Sequence, residues 1–237
     1  IKEIHKKDLL YLAHRVVPFC TRCGTPLSSH EVAQGYKTVT DTSVYIKFAL
    51  KPGQTLTGKP VGEDVFVLAW TTTPWTLPGN VALAVGNDID YALVRTGKET
   101  HIIAQTLVEK VLGHTYEGEV VKGKDLVGLA YTPLFEVGKL QTETAYKIYS
   151  ADFVSTTDGT GVVHTAVMYG EDDYQLGTQL NLPKVHTVNE QGKFQNVSDE
   201  LDGRYVKAKE TEELIMAHLT KRGNLLKTES YEHEYPH

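Results

Sequence analysis

The sequence lacks what several common protein classes require. Its formal net charge is -6 at pH 7, so the chain as a whole lacks the basic surface that holds many proteins to nucleic acid, although a local patch stays compatible with this charge. No run approaches the roughly 18 apolar residues of a membrane-spanning helix, and no charged-then-apolar signal segment opens the chain. We therefore expect a cytoplasmic protein without membrane contact.

The signatures of covalent hydrolases are also absent. The sequence has no Gly-x-Ser-x-Gly nucleophile elbow and no His-Glu-x-x-His zinc motif. Neither cysteine lies in a convincing catalytic context. Any hydrolysis would depend on a polar pocket that orients substrate and water without forming an enzyme intermediate.

Cysteine is scarce, and its two copies lie together. Cys20 and Cys23 form CTRC, half of a tetrahedral zinc site whose usual completion is a second Cys pair, and that pair is missing. His14 or His30 could supply ligands, but we predict no complete metal site in this chain.

The chain starts at Ile1 rather than at methionine and stops in a strand-like stretch, which suggests a piece of a longer protein.

Short β-type runs separated by Gly, Pro, Asp or Asn fill most of the sequence. They begin at Val44, Val65, Val81, Tyr91, His101, Leu126 and Gly161. Three stretches predict helices, 105–113, 171–181 and 209–224, each with suitable charges or a terminal glycine or proline. The first twenty residues fit either a short helix or an extended linker. We predict an α+β fold with a β-barrel-like core and a few peripheral helices.

A polar stretch, TTTPWTLPGN, spans residues 71–80 directly after a predicted buried strand. Its prolines remove backbone donors, and its threonine hydroxyls can satisfy the amides and carbonyls that remain, so a simple turn would explain it. A functional interpretation needs a partner elsewhere in the chain.

That partner is DGTGVVHTAVMYGEDD, residues 158–173. A predicted strand carries His164 at its end, and Gly170 leads into a helix whose first turn holds three acidic residues, Asp173 last. Taken alone, His164 fits a hydrogen-bonded strand end and Asp173 fits a helix-dipole acid. Together, a histidine and a carboxylate flank one short loop.

The pair WTTTPWTLPGN and GTGVVHTAVMYGEDD resembles the two signature stretches of the editing domain inserted into class I isoleucyl-tRNA synthetases. The resemblance covers nearly the whole chain, since PFCTRCGTPLSSHEVAQGY is similar to the entry of that insertion and LLKTESYEHEYPH to its exit. Related valyl and leucyl enzymes usually carry Thr-Thr-Arg-Pro where this chain has Thr72-Thr73-Pro74-Trp75. The resemblance implies an entry linker with half a zinc knuckle at 1–30, an editing domain at 31–224, and an exit strand towards the parent enzyme at 225–237.

The resemblance implies a reaction: hydrolysis of the ester that joins a wrong amino acid, chiefly valine, to the acceptor end of tRNA(Ile). A site built for isoleucine rejects a side chain one methylene smaller only weakly, and the isoleucyl enzyme is itself the standard example of this limit. It implies no cofactor for editing, and it implies zinc only in a full-length enzyme with a further Cys pair. A valyl-type domain acting on Thr-tRNA(Val) and a non-catalytic tRNA-binding insertion stay open as alternatives.

The same resemblance assigns residue roles. Asp173 is expected to pair with the substrate α-ammonium, a charge-assisted contact. His164 is expected to oppose the extra methylene of isoleucine, so sorting is favoured over general-base duty. The catalytic candidates are Thr72, Thr73, Thr76, Asn80 and His164, and the substrate-binding candidates are Thr71, Trp75, Tyr169 and Asp173.

The second stretch departs from the family pattern at two places. Many members read H-x-A-P-x-F-G, whereas here Val167 replaces the proline and Tyr169 the phenylalanine. The group that activates water is not evident either, because a threonine hydroxyl is a poor base at neutral pH. A neighbouring hydroxyl of the terminal ribose could assist.

Overall fold

The computed structural model describes residues 1–12 and 14–236. Its strands are β1 (Phe19–Cys20), β2 (Thr25–Pro26), β3 (Tyr36–Ala49), β4 (Thr55–Leu56), β5 (Lys59–Pro60), β6 (Val65–Thr71), β7 (Ala82–Val85), β8 (Asp90–Thr96), β9 (Glu99–Ala104), β10 (Val120–Lys122), β11 (Lys147–Ser150), β12 (Val162–Thr165) and β13 (Leu225–Pro236). Its α-helices are α1 (Lys2–Lys6), α2 (Ser29–Ala33), α3 (Val108–Leu112), α4 (Gly123–Leu126), α5 (Glu171–Gln179) and α6 (Lys209–Lys221). Short 3-10 helices span Pro74–Gly79, Gln105–Leu107 and Gly138–Leu140.

Two mixed sheets form the body of the fold. The larger has the strand order β10-β8-β9-β6-β3-β13, with β6 and β9 parallel, and the smaller has the order β11-β7-β12, with β11 and β7 parallel. Apolar side chains from both sheets join in one core, as shown by Phe48, Leu68, Leu83 and Ile102, each 0% exposed. The predicted α+β class is confirmed, and among the described residues the barrel-like core consists of open sheets, not a closed barrel.

The strand predictions differ in outcome. Most of the apolar runs form strands, but β3 begins at Tyr36, eight residues before the predicted start at Val44, and pairs with β13 in an antiparallel ladder. The run from Leu126 was wrong as a strand. There α4 ends at Leu126, Gly128 turns the chain with φ +89°, and only isolated bridges follow, at Ala130 and Tyr131.

All three predicted helices are present. Helix α3 ends at Gly113 in the left-handed conformation with φ +79°, and α6 has Glu210 and Glu212 in its first turn and Gly223 beyond its end. The N-terminal stretch forms α1 and then, in its described residues, no regular structure until β1. In the described residues, no helix is long and apolar enough to cross a membrane.

The proposed division at residues 30 and 225 stays a prediction. Strand β13, the predicted exit strand, is paired with β3 from Leu225 opposite Ile46 to Pro236 opposite Tyr36. The larger sheet therefore includes this segment as an edge strand.

Gly161 lies in the turn that enters β12, and its replacement gives a test of this fold. Its φ is +72°, and an added Cβ would lie 2.4 Å from the Cβ of Ala104. We expect Gly161→Ala to lower the free energy of unfolding by about 3 kcal/mol, because left-handed strain and overpacking add together. Gly128→Ala, at φ +89° with open space around it, should lose only about 1 kcal/mol. Urea unfolding of both variants checks the difference, and equal losses would contradict the packing described.

Candidate functional site

The first polar stretch begins where β6 ends, at Thr71. Pro74 occupies the first turn of the following 3-10 helix, where its fixed φ is suited and its missing N–H removes no bond. The Thr73 amide donates to Thr71 Oγ1 at 3.1 Å, and Thr76 Oγ1 donates to the Thr73 carbonyl at 2.8 Å. The turn interpretation is therefore correct for these hydroxyls, which stabilise the backbone.

The second stretch is strand β12, a tight loop and helix α5. His164 sits on β12 opposite Leu83 of β7 and is 8% exposed, so its side chain is buried. Gly170 is the N-cap residue of α5, and Asp173 lies in the first turn. Asp173 Oδ1 accepts the Ala166 amide at 2.9 Å, which closes the loop between the strand and the helix.

The two stretches meet in space. Thr76 Oγ1 lies 3.0 Å from His164 Nε2, although the residues are 88 positions apart in the chain. The rings of Trp75 and Tyr169 pack edge to face with centroids 5.3 Å apart. The 3-10 helix of the first stretch thus packs against both the strand end and the loop of the second.

The hydrogen bonds of Thr76 assign the tautomer of His164, and burial of the ring sets its charge. Since the single Thr76 hydroxyl proton goes to the Thr73 carbonyl, Thr76 Oγ1 accepts from His164 Nε2, which must carry the ring proton. Burial lowers the pKa of His164 to about 4, so the ring is neutral at pH 7. His164 Nδ1 then has a lone pair, is buried, and has no partner among the described residues.

Asp173 is the negative group of the site. Burial raises the pKa of its carboxyl to about 6, and hydrogen bonds from the Ala166 amide and its own amide offset only part of that rise. Among the described residues, no lysine, arginine or histidine forms an ion pair with it. The Asp173 carboxylate is therefore able to pair with a cationic group of a ligand.

Asn80 does not face a free space. Its Oδ1 accepts the Tyr131 hydroxyl at 2.7 Å, and its Nδ2 donates to the carbonyls of Ala82 at 2.9 Å and Thr165 at 3.5 Å. Asn80 is 4% exposed and Tyr131 is 0% exposed. Asn80 therefore holds the end of the 3-10 helix against β7 and β12. Sequence reasoning missed Tyr131, because it is remote in the chain and lies in the run taken for a strand.

The remaining threonines differ in burial and in the hydrogen bonds that their hydroxyls form. Thr71 is buried, and its hydroxyl lies 3.2 Å from that of half-buried Thr73. Thr72 is also half-buried, and its hydroxyl has no hydrogen-bond partner within the described part of the chain. Of the three, Thr72 has the hydroxyl most available to a ligand.

Val167, one of the departures from the family pattern, packs against the C-terminal half of α5. It is 2% exposed, and a Cβ added at Gly177 would lie 2.5 Å from its Cγ2. The absent side chain at Gly177 leaves room for the branched valine, so the loop and the helix fit closely.

The cysteines lie apart from this site. Cys20 and Cys23 are free thiols on the β1–β2 hairpin, and the Cys23 amide donates to Cys20 Sγ at 3.3 Å, which lowers the pKa of Cys20. Among the described residues there is no group of three or more His, Cys, Asp or Glu side chains placed to hold a metal ion. His14 and His30 do not complete the half-site, and zinc in a longer protein stays a prediction.

Two surface cavities also lie elsewhere. One of about 220 Å³ lies between β3 and β13, and one of about 580 Å³ is lined by residues 142–144 and 181–184. Neither includes a residue of the two polar stretches. The convergence of buried polar side chains, not cavity volume, marks the candidate site.

No protein-family model matches the chain. The chain is similar to the isoleucine–tRNA ligase of Clostridium novyi, with 44% identity over 238 aligned residues that cover 100% of the chain. It is also similar to isoleucine–tRNA ligase 2 of Bacillus thuringiensis subsp. konkukian, with 43% identity over 235 residues that cover 99% of the chain. In both cases the chain spans 22% of the relative's length.

A solved structure supports the fold. The crystal structure of the P. knowlesi cytosolic leucyl-tRNA synthetase editing domain superposes with a TM-score of 0.54, covering 86% of this chain and 99% of that one, at 12% sequence identity. An identity this low speaks only for the fold. The chain thus belongs to the isoleucine–tRNA ligase family as a segment of such an enzyme, with the fold of a synthetase editing domain.

Proposed function

We propose that this segment is a post-transfer editing domain that hydrolyses Val-tRNA(Ile) and spares Ile-tRNA(Ile). The observation that carries the proposal is the convergence of the two polar stretches, with Thr76 3.0 Å from His164 and the His164 strand leading through one short loop to Asp173. The relatives named isoleucine–tRNA ligase favour isoleucine tRNA over the valyl-type alternative.

Asp173 would recognise the free α-ammonium that distinguishes an esterified amino acid. Its carboxylate is half-buried and has no cationic partner in the described residues, so a positive ligand group would gain a charge-assisted bond there. Binding of that ammonium would also lower the pKa of the carboxyl again, since an opposite charge favours the ionised form. The site would thus select both a charge and a position.

His164 would sort side chains by size. Its ring is buried, neutral and held through Nε2 by Thr76, so it cannot swing aside without breaking that bond. A fixed ring can exclude one additional methylene by overlap, which is a repulsive contribution that a larger pocket lacks. A general base needs a nitrogen lone pair that can take a proton from water. Nε2 already carries a proton and Nδ1 is buried, so His164 is poorly placed for that role.

The hydrolysis itself would depend on orientation. A water oxygen attacks the ester carbonyl carbon, and the bond from that carbon to the ribose oxygen breaks. One water proton goes to the ribose oxygen, which recovers its hydroxyl, and the other goes to solvent, so that valine leaves as a carboxylate. Thr72 has a free hydroxyl to hold the water or the ester, and Thr71 and Thr73 lie on either side of it. Thr76 would act by holding the His164 ring, and Asn80 would act by fixing the end of the 3-10 helix through the backbone carbonyls of Ala82 and Thr165.

Replacing the carboxylate of Asp173 tests its charge. Asp173→Asn keeps an oxygen for the Ala166 amide and removes the negative charge, so we expect kcat/KM for deacylation of Val-tRNA(Ile) by the parent synthetase to fall about 30-fold or more. The matched control is Asp172→Asn, one residue away and exposed, which should stay within twofold. Deacylation assays of both variants decide. Undiminished hydrolysis in Asp173→Asn would rule out ammonium recognition, and an inactive wild-type enzyme would favour the non-catalytic tRNA-binding alternative.

The pH dependence of deacylation should follow the same carboxyl. With a pKa of about 6, Asp173 loses its charge as the pH falls through 6, and we expect kcat/KM to fall with it. Because the folded pKa lies above the ordinary 3.8, ionisation destabilises the fold as the pH rises from about 4 to 6. Asp173→Asn should therefore have no acidic limb near pH 6 and should unfold at no lower urea concentration than wild type at pH 7. Rate profiles between pH 5 and 8 and urea titrations between pH 4 and 8 measure the two effects.

A further inference from the structure

A third segment of the chain reaches the site through Tyr169. The Tyr169 hydroxyl oxygen accepts the Thr187 amide at 2.7 Å and lies 2.8 Å from Thr187 Oγ1. Thr187 is 0% exposed and lies outside both polar stretches. One buried residue therefore binds this phenol twice.

Thr187 is itself held firmly. Its carbonyl accepts the Gln195 amide at 2.9 Å, and the next residue, Val188, forms a β-bridge with Phe194, which is 1% exposed. The loop that carries Thr187 is thus tied to the core.

On its other side, Tyr169 contacts the 3-10 helix. Its ring packs against Trp75, and a Cβ added at Gly79 would lie 3.0 Å from Tyr169 Cε2 and 3.3 Å from Thr187 Oγ1. Gly79, Tyr169 and Thr187 are therefore in close mutual contact. A shift of the phenol would move it into, or away from, the helix that carries Thr76.

We propose that Thr187 is a positioning residue for the editing site, acting through the Tyr169 hydroxyl to hold the His164–Asp173 loop in register with the 3-10 helix. This inference rests on the proposed function. Tyr169 lies between the Ala166 amide that Asp173 binds and the start of α5, since the Tyr169 amide donates to the Ala166 carbonyl at 2.9 Å. Fixing the phenol fixes the loop that sets Asp173.

The contacts predict an asymmetric pair of variants. Tyr169→Phe removes both bonds and leaves the buried Thr187 amide unpaired, whereas Thr187→Val removes only the hydroxyl contact and keeps the amide. Asp173 would orient the bound ester through its ammonium, and a misoriented ester lowers turnover more than ground-state binding, so we expect Tyr169→Phe to lower kcat for Val-tRNA(Ile) about tenfold with KM within about twofold. Thr187→Val should lower kcat less.

The test is a double-mutant cycle in the full parent synthetase, with kcat and KM measured for Val-tRNA(Ile). The Y169F/T187V variant should equal Y169F, because no hydroxyl contact remains for the second change to remove. T187S, which keeps the hydroxyl and the amide, should match wild type. The control is Tyr149→Phe, which removes another half-buried hydroxyl bond, 2.7 Å to the Thr144 carbonyl, and should affect stability but not kcat.

Each outcome decides. Unchanged kcat in Y169F, or multiplied losses in the double variant, would overturn the positioning role while leaving the editing proposal intact. Equal loss of kcat in Tyr149→Phe would show that only general stability matters and would overturn it too. An inactive wild-type enzyme would instead refute the proposed function, and the inference with it.

Discussion

The contact between Thr76 and His164 is the constraint on which the site depends. It joins two stretches that are 88 residues apart, and because Thr76 gives its proton to the Thr73 carbonyl, it also sets the histidine tautomer. Burial favours the neutral ring, and the hydrogen bond to Thr76 assigns its proton to Nε2. Geometry and protonation of the site thus follow from one hydroxyl at the start of a short helix.

Around this contact the fold keeps polar groups in unfavourable positions. His164 Nδ1 and Trp75 Nε1 are buried without partners among the described residues, and Asp173 carries a carboxyl whose pKa burial raises to about 6. Buried polar groups without hydrogen-bond partners lower the stability of the fold, and groups with perturbed pKa values are common at ligand-binding sites. An esterified amino acid with a free ammonium is chemically suited to do so at Asp173.

The residues that hold the site come from outside the two polar stretches. Tyr131 holds Asn80 through a buried hydroxyl, and Thr187 holds Tyr169 through two bonds. Both supports are fully buried, which makes their hydrogen bonds rigid and their loss costly. Core residues thus hold both Asn80 and Tyr169 in place at the candidate site.

The sequence by itself determined the features that depend on interactions between residues close together in the chain. Helix ends at Gly113 and Gly223, the acidic start of α5 and most apolar strands follow from interactions within a few residues, and so does the presence of two polar stretches. Only the tertiary structure decided the rest: the early start of β3 at Tyr36, the loss of the Leu126 strand, and the engagement of Asn80 by Tyr131. These features depend on partners that are 51 or more residues away or on a single left-handed glycine, and no local pattern encodes such a pairing.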